Sequence, residues 1–263
     1  MVNYTISFKK PFSDFSKLLI GIITNFVPIV NWISFGYILE CSEIKKDGQT
    51  GTMVEWDDLK NMLVKGFKGY LIEFIYSIPI IVSYFFVFFK VIAPSVIRGM
   101  ESVKFDSLPV PTSNPINPKD AIEIMDFMIK QMMPLLTNSL IEALPFLIII
   151  FVLIAYIWYL IPIAVLNYYR HDKFEEAFNF TLIKKYAINK KYLGAWMIFF
   201  VLNLGYHAIS FLPMSLFFYD PFLAMRLSNG LSLLPAIVYF IISMISFSFF
   251  ADVIKEIDGL DIC

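Results

Sequence analysis

The sequence predicts an all-α fold: a polytopic bundle of transmembrane helices, with about five spans and two or three amphipathic helices at the membrane surface. Three observations predict it. The 27 residues Ala143–Tyr169 carry no charge, more than the roughly 20 apolar residues needed to cross a bilayer. A second uncharged run, Tyr192–Tyr219, follows after a short basic stretch. Charged residues make up 16% of the 263-residue chain and hydrophobic ones 58%, against about 25% charged in soluble domains. The expected organisation is one integral membrane domain over residues 1–263, placed in the cell membrane as a multi-pass protein.

The first uncharged run is Leu18–Leu39, after Lys9, Lys10 and Lys17. It is too long for a signal-peptide core and no small-residue cleavage site follows, so it is expected as a retained span. Pro28 lies inside it between Asn25 and Asn31, which predicts a kink or, alternatively, a broken, re-entrant form. Asp47-Gly48 then marks a turn. From Trp56, the apolar residues Leu59, Leu63, Phe67 and Tyr70 recur at helical spacing. That pattern predicts an amphipathic helix in the interface or packed on the bundle.

The second span is Tyr70–Phe89, with Glu73 near its start and Pro79 inside. A long connection over residues 90–142 is expected on the non-cytoplasmic side. Its Pro/Asn/Ser-rich centre, Leu108–Pro118, excludes continuous helix. Asn117-Pro118 reads as a helix start, and that helix is expected to lie along the membrane surface or against the bundle until Pro134. The third span is Ala143–Tyr169. In the basic stretch behind it, Asp172 and Glu175 have capping-box spacing. One helix is expected over Asp172–Lys185, with Phe174, Phe178 and Leu182 on one face and Lys184 and Lys185 near its end. The fourth and fifth spans are Tyr192–Tyr219 and Leu227–Ala251.

Basic residues orient membrane proteins. Arg170–Lys191 holds six of them, the densest loop, and is expected in the cytoplasm. Alternation then puts residues 40–69 and the tail with it, and Met1–Lys17 opposite. A re-entrant Leu18–Leu39 would return the basic N-terminus to the cytoplasmic side.

Ionisable and polar groups inside spans are candidate functional residues. His207 lies near the middle of the fourth span, with Asn203 four residues before it on the same face. Glu73, Asn25 and Asn31 complete the polar set. Trp56, Phe174, Phe178, Lys184 and Lys185 are candidates for the membrane surface. Two histidines and two distant cysteines, Cys41 and Cys263, give no metal-binding spacing and no disulfide framework. No phosphate-binding or hydrolase motif is present. No cofactor, no metal and no enzymatic activity are expected. With a net charge of −1, nucleic acid is not an expected partner; the bilayer and other membrane proteins are.

Several short stretches occur in a telling order: Gly36-Tyr37, Trp56-Asp57, Lys65-Gly66, Ile75–Pro79, then Phe174, Ala177 and Phe178. In that order the chain resembles the domain of unknown function 4013 family, multi-pass membrane proteins of prokaryotes, mainly archaea. Met53-Val54-Glu55 stands where a Leu-Pro is expected, and the insert near Pro109–Pro118 lies outside the pattern. The resemblance implies an all-helical membrane domain and no established activity, so it carries no site over. The leading reading is a non-enzymatic membrane-organising or accessory subunit. The alternative is a small transporter or channel using a polar path near His207 and Asn203. A polar cavity lined by those residues favours the second, a dry packed bundle the first.

Overall fold

The computed structural model describes residues 4–46, 48–94, 96–97, 118–219 and 233–259. Among them the regular structure is helical, with no strand. Most of the 108–118 insert, the turn at Asp220-Pro221, the start of the fifth span at Leu227, and Cys263 lie outside the described residues. Among the described residues, four stretches are long and apolar enough to cross a membrane: Leu59–Ile92, Thr137–His171, Lys190–Phe211 and Leu234–Ile257.

The run Leu18–Leu39 is not a single span. After a short helix α1 (Tyr4–Lys9), it folds as α2 (Phe15–Phe26) and α3 (Asn31–Cys41). Twelve residues of helix reach about 18 Å, short of a hydrocarbon core of about 30 Å. Pro28 causes the break, because its ring pushes the preceding residue out of the helical region; Val27 is extended at φ −93°, ψ 118°. Ile29 then takes φ 72°, a strained value for a β-branched residue. The two helices turn back on each other. Thr24 and Ser34 hydroxyls meet at 2.6 Å, and Ser34 Oγ donates to the Gly21 carbonyl.

The predicted amphipathic helix and second span are one helix, α4 (Leu59–Val87), continued by a π-turn over Phe88–Ile92. Asp58 caps it, its side chain accepting from Asn61 N at 3.1 Å. Trp56 lies before this helix, not on it. Helices α3 and α4 approach backbone to backbone at Gly36 and Gly66. A Cβ on Gly36 would fall 1.9 Å from the Met62 carbonyl oxygen, and one on Gly66 1.7 Å from that of Trp32.

Helix α5 starts at Pro118, as the sequence predicts, but Pro134 does not end it; it continues to His171. An interior proline removes one hydrogen bond, and a helix propagating on both sides needs no new nucleus to absorb that loss. The helix expected over Asp172–Lys185 is likewise corrected. Asp172 sits at φ 55°, outside any helix. A 3-10 turn covers Phe174–Phe178, and α6 (Phe180–Ala187) begins only after Asn179. Asn179, not Asp172, is the cap, accepting from Leu182 N.

Helices α7 (Lys190–Tyr219) and α8 (Leu233–Ile257) complete the fold. Of the apolar window of α8, 78% is buried, the highest share among the four long apolar stretches described. The chain divides into two compact units, Met1–Tyr76 with Trp158–Cys263, and Ser77–Ile157. In the second, Val87, Ala143 and Ile150 form a small core, while Phe85, Phe89, Ile149 and Phe151 point outward.

In the first unit, the polar segments gather at one end. Lys10 meets Glu43, Lys17 meets Glu55, Lys45 meets Asp172, and Lys191 meets Glu256. Asp258 pairs with both Arg170 and Lys185. The N-terminal segment therefore lies with the two basic loops and the tail, not opposite them. The hairpin of α2 and α3 is the reason, since it returns to the end it leaves.

Candidate functional site

Within the first unit, α4, α5, α7 and α8 enclose a half-open cavity of about 330 Å³. His207 and Asn203 on α7 line it, as their spacing of four predicts, and Glu73 on α4 joins them. Tyr239, Ser243 and Ser246 come from α8, Trp158 and Pro162 from α5, and Tyr206 from α7. Apolar walls are supplied by Phe199, Phe247 and Phe250 among others.

The mouth and the floor differ. Trp158 and His207 are exposed, with ring planes within 9° of parallel and centroids 6.5 Å apart. Tyr206 packs against His207 at 5.1 Å and Tyr239 at 5.9 Å. Glu73 is half-buried and within electrostatic reach of Tyr70 and Tyr239. Ser246 is only 1% exposed, and its hydroxyl has no hydrogen-bond partner among the described residues. A buried unpaired polar group costs about 1–3 kcal/mol. Asn203 donates its amide to the Phe199 carbonyl at 2.9 Å, leaving its side-chain oxygen as an acceptor.

The other candidates lie elsewhere. Asn25 donates to the Ala236 carbonyl at 3.5 Å, and Asn31 starts α3 with its side-chain oxygen unpartnered among the described residues; neither lines the cavity. Trp56 stacks flat on Tyr37, centroids 3.7 Å apart at 4°, and donates Nε1–H to the Lys17 carbonyl. Phe178 stacks on Tyr76, Phe174 packs against Tyr168, and both lean on the core. Lys184 is exposed, and Lys185 pairs with Asp258. The aromatic candidates for the membrane surface thus pack on the bundle.

At the polar end the central element is a buried ion pair. Lys10 and Glu43 side chains are both 0% exposed, 2.8 Å apart. Lys10 also donates to the Cys41 carbonyl at 2.7 Å. Glu43 accepts further from Lys46, Thr50 N and Thr50 Oγ1. Burial pushes its carboxyl up, but the bonds and charge of Lys10 and the two bonds from Thr50 outweigh that and hold it at about 2.

The spacing of His207 and Asn203 was readable from one helix. Glu73, Ser246 and Tyr239 were not grouped with them, because they come from helices far apart in sequence. The only advance signal was an acid inside an apolar run.

The motif residues that carry the family resemblance have structural work here. Gly36 and Gly66 are the α3–α4 contact, and Tyr37 and Trp56 are the stack. Tyr76 donates to the carbonyl of buried Ala177 at 2.8 Å, fixing the Phe174–Phe178 turn on α4. No curated protein and no solved structure matches the chain. A family model does match, over residues 19–110 and 121–218, and its interruption falls on the end of the Pro-rich insert. The chain belongs to the family described as Protein of unknown function (DUF4013).

Proposed function

We propose that this is a non-enzymatic multi-pass protein of the cell membrane, and that its cavity is a solute site in a small transporter or channel. The observation that carries this is the cavity that brings Glu73, Asn203, His207 and Ser243 together from three helices. A dry packed bundle, expected of the membrane-organising role, would leave no such cavity beside those groups. Glu73, Ser243, Trp158 and His207 lie 8, 9, 13 and 16 residues from Lys65, Asp252, His171 and Lys191 at the polar end. At 1.5 Å per residue these are depths of roughly 12–24 Å, around the middle of a hydrocarbon core of about 30 Å. Solute sites of transporters lie at such depths.

Accessibility of the cavity tests the reading. In a background with Cys41→Ala and Cys263→Ala, Ser243→Cys should react within minutes with a water-soluble methanethiosulfonate. Met244→Cys, at a fully buried neighbour, should not. Equal inertness of both positions would mean a packed interior and would favour the membrane-organising role instead.

Orientation follows from the polar end. Met1–Lys17, residues 40–69, Arg170–Lys191 and the tail together hold fifteen of the 21 Lys and Arg residues. The positive-inside rule puts that end in the cytoplasm, with the hairpin α2–α3 re-entering from it and both termini inside. Lys184→Cys in intact cells is expected to resist an impermeant maleimide until the cells are opened. Prompt labelling from outside would invert the topology.

A further inference from the structure

We infer that the cavity takes a lipophilic organic cation. This deepens the solute-site reading and rests on it. Among the described residues, Glu73 is the one acid lining the cavity, and none lining it is Lys or Arg. The cavity also offers acceptors, the Asn203 side-chain oxygen and the Ser243 hydroxyl, beside two N–H donors, the Trp158 indole and the His207 ring. An anion would find no Lys or Arg there. A cation would bring the Glu73 carboxyl an opposite charge in surroundings of low dielectric, where opposite charges attract more strongly than in water.

The walls decide what kind of cation. Small inorganic ions need a shell of about six or more oxygens at short distance, and no cluster of three or more His, Cys, Asp or Glu exists among the described residues. Instead, Trp158, Tyr206 and Tyr239 offer aromatic faces, which attract weakly hydrated organic cations. The volume of about 330 Å³ falls in the range of small-molecule sites. The mouth is formed by the exposed Trp158 and His207, an aromatic edge suited to a lipophilic ligand.

The test uses the full chain in lipid nanodiscs, with protein-free nanodiscs subtracted. Ethidium, a flat monocation, is titrated against 6-phenylphenanthridine, its uncharged ring system. Ethidium is expected to bind saturably and to outcompete the neutral compound. Glu73→Gln should weaken ethidium at least about tenfold, the loss of one charge pair, and leave the neutral compound unchanged. Trp158→Leu, at the exposed mouth, should weaken ethidium several-fold and decides the case if Glu73→Gln fails to fold. Ethidium binding that is unaltered in the folded variants, or no tighter than that of the neutral compound, overturns the proposal. If so and Ser243→Cys still reacts, the solute site stands with another ligand class. An unreactive Ser243→Cys removes both.

Discussion

Gly66→Ala is expected to destabilise the protein by about 3 kcal/mol or more, although alanine is the better helix former. The added methyl would sit 1.7 Å from the Trp32 carbonyl oxygen and 2.7 Å from Gly36 N. Both are backbone atoms, so no rotamer change relieves the clash and α3 must move off α4. Overpacking costs about 1–3 kcal/mol when side chains can yield, and more is expected when they cannot. The opposing gain in helix propensity is only about 1 kcal/mol. Gly194→Ala on α7 is the control, because nothing lies within 4 Å of its added methyl. There the propensity gain acts alone and stability should rise by about 0.5–1 kcal/mol. Thermal unfolding in detergent reads both. Two shifts of the same sign would refute the view that small residues at this crossing let two backbones touch.

That crossing shows what could and could not be read from the chain. The long runs announced themselves, since a window of apolar residues needs no knowledge of neighbours. Leu18–Leu39 passed the same test and is not one span. Hydropathy counts apolar residues but carries no direction, and a hairpin that turns back at Val27–Val30 has the same composition as a helix that goes through. Pro28 was the visible sign, and the return of α3 along α2 was decided by packing at Gly21, Thr24 and Ser34. The basic helix was misplaced for a local reason. Asp172 and Asn179 are both cap residues in sequence, and Asp172 instead took a positive φ and paired with Lys45. The cavity was half legible: one helix displayed His207 and Asn203, and three other helices had to be folded beside it before Glu73, Trp158 and Ser246 joined them.

Lys10→Met is the other substitution with a large expected effect, about 3–5 kcal/mol at neutral pH, the usual result of removing one partner of a buried pair. Glu43 would keep Thr50 and the half-exposed Lys46, but its carboxylate would remain buried without its main counter-charge. The hydrogen bond to the Cys41 carbonyl would go as well. The pH dependence has a definite sign. In the folded protein the Glu43 carboxyl is depressed from 4.5 to about 2, so its contribution to stability is complete above the unfolded value. It fades as pH falls from about 4.5 through 2. In Lys10→Met the isolated carboxyl protonates at higher pH, which removes the penalty of burying its charge. The stability gap between wild type and Lys10→Met should therefore be widest near pH 7 and close as pH falls through that window. Lys10→Met with Glu43→Gln should regain part of the loss at pH 7, because an amide needs no counter-charge. Unfolding midpoints measured from pH 7 to pH 3 check this, and a gap that stays constant over that range would show that Lys10 acts by packing alone.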